Sequence, residues 1–282
     1  MFLKNLYKLT INFSYFIKSP YTTIEKIVVI FYLIKINIKS MLSVCCRFNK
    51  EFFIKYKIEA FDYKTIKFLF EEIFYRSNYF VKIQKKEPVI FDCGANIGMA
   101  TIFFKWQYPQ STIYCFEPDK KTFLKLEKNI NQNNLQKINA YNEAVSDITG
   151  FIDFFTSPKN DGALVMSTKY KKGLDQKDIV PVIKLSDFII EKKIEYIDLI
   201  KIDTEGSEIN ILADLEENNL MSKFSKMIIE YHHQQDNDQP KLGKFLKILE
   251  KNNFIYQIDS KNSPITKEIG FQDIMIYAYR NN

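Results

Sequence analysis

The sequence predicts an α/β chain organised around a Rossmann-like parallel sheet, on three observations. A short apolar run, Val89-Ile90-Phe91, ends in Asp92 and a Gly-Ala-Asn-Ile-Gly turn that opens the helical pattern Met99–Gln107. A second run, Ser111–Phe116, ends in Glu117-Pro118, an acid about 20 residues past the turn. A third, Ile197–Ile202, delivers Asp203-Thr204-Glu205-Gly206-Ser207-Glu208. Apolar strands that alternate with helical segments are the pattern of a parallel sheet. Glycines at a strand-to-helix turn let a ligand approach the main chain, and the helix start offers unpaired N–H groups.

The bulk numbers are those of a globular protein. The 282 residues are 46% hydrophobic and 26% charged, enough for a core and for one α/β domain with an extension or two small domains. Cys45, Cys46, Cys93 and Cys115 form no metal-binding spacing and no secreted disulfide framework. A reducing cytoplasm fits them best. The net charge of +6 is uneven: residues 1–50 hold eight basic side chains against Glu25 alone, leaving 32 basic and 33 acidic residues in 51–282. A near-neutral main domain argues against a nucleic-acid groove across it.

Residues 1–50 are expected to be a basic, apolar helical extension and 51–282 the main domain. In the extension Ile24, Ile27, Val28, Phe31, Ile34 and Ile38 follow helical spacing. The unbroken apolar run Ile27–Ile34 is far short of the roughly 20 residues that span a bilayer. No small-residue cleavage site follows an apolar region near the start, so no secretory signal is expected. Such a helix packs on the main domain or in a dimer, or rests on an anionic membrane surface. In the last case the expected location is the cytoplasm, at the inner face of a membrane.

Glu51–Ala60 has the composition of a strand, and Asp62 caps a helix over Tyr63–Tyr75 with Ile66, Leu69, Phe70 and Ile73 on one face. Tyr79 follows, as a core aromatic or as a residue at the mouth of a cofactor site. After the glycine turn and its helix, Pro118 stops the second strand and Asp119 caps a helix to Ile130. Ile138–Val145 is the third parallel strand, with Glu143 near its end, and Phe151–Phe155 a further short one. Thr156–Val180 has no firm periodicity, as in a lid or substrate loop. A short helix from Leu185 to Lys193 precedes the fourth strand, Ile197–Ile202. The fifth, Lys226–Ile229, ends in Glu230-Tyr231-His232-His233. A helix over Lys241–Lys251 and strands at Phe254–Tyr256 and Asp273–Tyr279 complete the pattern.

The dinucleotide fingerprint fails at the first turn because position 96 is Asn, and the phosphate-binding loop fails because Gly98-Met99-Ala100 holds no lysine. An ordinary βα turn with glycines for tight packing stays open. So does Asp-x-Gly-x-Asn-x-Gly, which resembles the first motif of S-adenosylmethionine-dependent methyltransferases. Glu117 sits where an acid accepts from ribose hydroxyls, which favours the cofactor site. Three acids on the 203–208 turn repel one another unless paired, hydrogen-bonded or solvated. Asp203 and Glu208 also suit simple capping. Glu230 and His232 share one strand face, making the histidine a candidate general base or a satisfied polar group.

Together, Asp92–Gly98, Glu117-Pro118, Ala144–Asp147, Leu185–Phe188, Ile197–Glu208 and Ile229–His232 resemble the FkbM family of methyltransferases over residues 60–235. The block Lys201–Glu208 is the specific part. The resemblance implies a seven-stranded class I methyltransferase fold, S-adenosylmethionine as donor, and transfer to a hydroxyl, commonly of a sugar in a glycan or a sugar-bearing metabolite. Carried over, Asp92, Gly94, Asn96 and Gly98 frame the cofactor, Glu117 holds its ribose and Glu143 lies beside its adenine. Asp203, Glu205, Glu230 and His232 line the reacting end. A divalent metal on Asp203, Glu205 and Glu230 would find hard oxygen ligands and is not expected. Two other readings are a methyltransferase of another substrate class, small molecule or RNA, and a non-catalytic Rossmann-like binding module.

Overall fold

Strands buried on both faces are nearly all apolar, and the central ones here are short and almost fully buried: β3 (Val89–Cys93), β4 (Thr112–Phe116) and β9 (Leu199–Ile202). They belong to a seven-stranded sheet completed by β5 (Ile138–Tyr141), β10 (Lys226–His233), β11 (Ile255–Ser260) and β12 (Gln272–Tyr279), in the order β11-β12-β10-β9-β3-β4-β5. From β10 to β5 the strands are parallel; β12 runs antiparallel to both β10 and β11. This computed structural model describes residues 16–17, 19–43, 48–156, 176–233, 241–260 and 272–280. Cys45, Cys46, the side chain of His233 and residues 157–175 of the predicted loop lie outside the described residues.

The chain leaves β3 toward β4 and β5, then returns to the other side of β3 with β9. That reversal opens a crevice at the carboxyl ends of β3 and β9, where open α/β sheets bind ligands. Strand parity sorts the side chains. Ile90, Leu199 and Ile228 join a core shared with α1 (Thr23–Leu42), α3 (Met99–Gln107) and α4 (Lys120–Gln132). Phe91, Ile200, Ile202 and Ile229 join the opposite core, with α6 (Glu208–Glu217) and α7 (Leu242–Lys251). Asp92, Lys201, Glu230 and His232 alternate with members of the second core and therefore face the first.

Several elements differ from the sequence expectation. Glu51–Ala60 is a hairpin, β1 (Lys50–Phe53) with β2 (Tyr56–Glu59), reversed at Ile54 with φ +58°. The helix from Tyr63 is α-helical only to Phe70 (α2); Glu71–Tyr75 continues as one π-helical turn that buries Ile73, Phe74 and Tyr75. The third strand stops at Tyr141, where Asn142 Nδ2 donates to the carbonyls of Glu117 and Pro118, each at 2.9 Å. Ala144–Ser146 (β6) then joins a separate sheet with β7 (Gly150–Thr156) and β8 (Gln176–Lys184), so residues 176–180 of the expected loop are strand.

The extension helix α1 packs through Val29, Leu33 and Ile36. The stripe picked from spacing is the opposite face: Ile24, Ile27, Phe31, Ile34 and Ile38 are exposed. Both faces are apolar, and spacing alone does not choose between them. Among the described residues, no helix is long and apolar enough to cross a membrane. Behind the glycine turn, the buried amide of Asn129 on α4 accepts from Glu59 N (2.8 Å) and donates to Glu59 O (2.9 Å) and Ile97 O (2.8 Å), joining β2 to the turn.

Candidate active site

The glycine turn is shaped by what it touches. Gly94 has φ +79°, and a Cβ there would lie 1.8 Å from the carbonyl oxygen of Asp203, so the main chains after β3 and β9 meet at this point. Gly98, φ +88°, caps α3, and its Cβ would meet Leu126 Cδ1 at 2.7 Å. The N–H groups of Gly94 and Ala95 both donate to Phe116 O, at 3.0 and 2.9 Å. Asn96, φ +50°, gives its N–H to Glu117 Oε2 at 2.9 Å, and Asp119 N–H gives to Oε1 at 2.9 Å. Turn and acid thus share one sheet edge, as a common cofactor pocket requires. Each Glu117 oxygen accepts one main-chain N–H and keeps capacity for a hydroxyl. Burial pushes this carboxyl up to about 8.

Below the turn lies a buried cation. Lys201 Nζ donates to Gly94 O (2.6 Å) and Cys93 O (3.3 Å) and pairs with Asp203 (3.3 Å) and Asp92 (3.5 Å). Burial works against its charge, but the carboxylates of Asp203 and Asp92 outweigh that and hold the ammonium above its usual range. Asp92, fully buried, accepts from Thr101 Oγ1 at 2.8 Å, and burial raises its carboxyl despite Lys201. Tyr79 donates to Asp203 Oδ2 at 3.3 Å with its ring 5.6 Å from Lys201 Nζ. It is both a core aromatic and a site residue. Lys201 was not singled out from the sequence; its place between Ile200 and Ile202, at a parity that faces Asp92, was the available signal.

Beyond Lys201, acids converge on His232. Glu208 Oε1 accepts from Thr204 N (3.2 Å), Thr204 Oγ1 (3.2 Å) and Gly206 N (2.9 Å), closing the turn, and lies 3.1 Å from His232 Nδ1. On the other ring nitrogen, Nε2, Glu205 stands at 3.4 Å and Asp203 and Asp273 at 4.0 Å. Glu205 reaches it from a left-handed backbone, φ +55°. Burial would lower the imidazole's affinity for a proton, but Glu208 and Glu205 overcome it and hold the ring well above the usual histidine value. Glu230 is raised by burial and by Asp203 and Asp273.

Asp203, Glu205, Glu230 and His232 are therefore brought together, with Glu208, Asp273, Lys201 and Tyr79 added to them. Glu208 does not cap the helix as expected: it is the first residue of α6, whose N-cap is Ser207. Its carboxylate closes the preceding turn and orients the histidine. Glu143 lies between β5 and β6, near Lys192 and Glu191, directly after Asn142, which bonds the carbonyls of Glu117 and Pro118. Two sets of ligand atoms lie within 4.8 Å of one another, Asp203–Glu205–His232 and Glu230–His232–Asp273.

A family model described as the Methyltransferase FkbM domain matches residues 92–256. Methyltransferase 1 of Beauveria bassiana (strain ARSEF 2860) is 30% identical over 169 residues, 54% of this chain and 68% of that protein. The 2-O-methyltransferase NoeI of Sinorhizobium fredii (strain NBRC 101917 / NGR234) is 29% identical over 166 residues, covering 54% and 67%. The 31-O-demethyl-FK506 methyltransferase FkbM of Streptomyces tacrolimicus is 27% identical over 197 residues, covering 58% and 74%.

Proposed function

This chain belongs to the FkbM methyltransferase family, and from that premise we propose that it moves the methyl group of S-adenosylmethionine onto a hydroxyl of a sugar, in a glycan or a glycosylated metabolite. The names of two relatives, a 2-O-methyltransferase and a 31-O-demethyl-FK506 methyltransferase, support oxygen as the acceptor atom. The observation that carries the sugar is the set of partly accessible carboxylates, Asp203, Glu205 and Asp273, beside the glycine turn. Carboxylates only accept hydrogen bonds, so they suit a ligand rich in hydroxyl donors.

The residues present fit the cofactor. Glu117 has acceptor capacity for a pair of ribose hydroxyls, and the turn Gly94–Gly98 allows a ligand against the main chain. When bound, S-adenosylmethionine supplies an electrophilic methyl group on a sulfonium. Asp203 and Glu205, with side chains 24% and 20% exposed against 3% for His232, meet the acceptor hydroxyl first. They orient it and take its proton. Lys201 and His232 lie against these carboxylates and hold them in place. Alignment of the reacting pair is the larger share of the rate.

The test is incubation with labelled donor and candidate glycans, followed by mass analysis of the product and by rates of variants. Asp203→Asn with Glu205→Gln should lower kcat by about 10²–10⁴-fold, the usual weight of proton transfer. His232→Gln should keep the shape of the wild-type pH profile. A limb that instead rises above neutral pH and vanishes in His232→Gln would make the histidine the base. Methylation at nitrogen or carbon would overturn the hydroxyl assignment.

A further inference from the structure

Helix α1 buries Val29, Leu33 and Ile36 against the core, and its other side is also apolar. Ile24, Ile27, Phe31, Ile34, Ile38 and Leu42 recur at steps of three or four and form one stripe along a 20-residue helix that is about 30 Å long. These side chains are 56–75% exposed. Phe31, Ile34, Ile38 and Leu42 line a shallow groove, with the stems of Lys35 and Lys39 as its rim. An exposed face of this size and regularity is rarely left uncovered in water.

We propose that this stripe seats the enzyme on an anionic lipid surface, with α1 lying in the plane of the interface. The charge beside the stripe decides the occupant. Among the described residues α1 carries Lys26, Lys35 and Lys39 against Glu25, and Lys35 and Lys39 line the groove itself. A second copy docked stripe to stripe would bring these lysine rims face to face, and like charges at an interface disfavour it. Negatively charged headgroups complement them, and the apolar side chains enter the acyl boundary between. The lysines can serve both sides: the ammonium groups of Lys35 and Lys39 rest on Glu51, at 2.8 and 3.1 Å, while their stems stay at the groove. Glu51 satisfies one of the two charges, so the rim stays positive. Because the opposite face of α1 is packed into the core beneath the sheet, docking needs no unfolding of the extension.

The experiment is co-sedimentation of the full chain with vesicles of phosphatidylcholine alone or mixed equally with phosphatidylglycerol, at low and high salt. The comparison is with Phe31→Ser/Ile34→Ser/Ile38→Ser, which leaves every charge in place. Light scattering of both proteins follows without lipid. The full chain should sediment with the mixed vesicles, several-fold less at high salt, and the triple variant should stay in the supernatant with an unchanged melting temperature. Equal sedimentation of the two proteins overturns the proposal. So does absence of the full chain from the mixed vesicles, and a dimer in light scattering that the triple variant abolishes would then assign the stripe to a second copy. Loss of methyl transfer is not read out, so the result is independent of the acceptor.

Discussion

Replacing Glu208 by Gln tests the charge at the centre of the site. Oε1 of Glu208 takes three donors of its own turn and faces His232 Nδ1 at 3.1 Å. Glutamine can keep an acceptor there and loses only the charge. A hydrogen bond to a charged group is worth about 1.5–3 kcal/mol and a neutral one about 0.5–1.5, so the variant should lose about 1–2 kcal/mol. At roughly 2–4 °C per kcal/mol in chains of this size, melting should fall by about 2–8 °C. The pH dependence is the sharper readout. Burial opposes the charge on Glu208, yet His232 and the turn N–H groups hold its carboxyl below the ordinary 4.5. Its contribution is complete above that value and fades as pH falls through the lower folded one. His232 is held above its ordinary 6.5, so its contribution is complete below that value and is lost as pH rises through the higher folded one. The deficit of Glu208→Gln should therefore be widest between pH 4.5 and 6.5 and shrink on both sides. Calorimetric melts across the pH range measure it, and ring-nitrogen NMR should show the His232 titration moving down in the variant. A deficit flat across that range, with the titration unmoved, would refute the ion pair.

Gly94→Ala should abolish cofactor binding by calorimetry and lower the melting temperature by several degrees. It costs about 1–2 kcal/mol for the left-handed backbone, and its methyl would collide with the main chain after β9. Gly98→Ala should be milder, because its obstacle is the end of a leucine side chain. Glu117→Ala should weaken S-adenosylmethionine binding at least about tenfold. In the native chain affinity should strengthen as pH rises through about 8 and the carboxyl ionises; a flat affinity across that value in calorimetry counts against the contact. Asn129→Ala removes the bridge between Glu59 and Ile97 and should destabilise the fold by about 2–4 kcal/mol, read as a lower urea midpoint.

The parallel core was legible because each strand is a short apolar run ended by an acid or a glycine, and these ends are what the crevice is made of. The hairpin was not. Its reversal falls on Ile54 and Lys55, and a β-branched residue with positive φ carries none of the glycine or asparagine chemistry that announces a turn. The break after Tyr141 also escaped: Asn142 is held by the carbonyls of residues 117 and 118, a tertiary contact that local pattern does not contain. In the site, Asp203, Glu205, Glu230 and His232 were visible as strand-end polar residues, while Lys201 was hidden inside an apolar strand. Asp273 belongs to a strand that sequence order puts last and sheet order puts beside His232.

That placement ties the two ends of the sheet to one strand. β12 lies between β10 and β11 and pairs with the whole of β10, from Lys226↔Tyr279 to His233↔Gln272. It is the sheet partner of β11 and also the element that sets Asp273 beside His232. A substitution that loosened β12 would therefore free an edge strand and strip a carboxylate from the histidine together, while the pairing of β3 with β4 and β5 stayed intact.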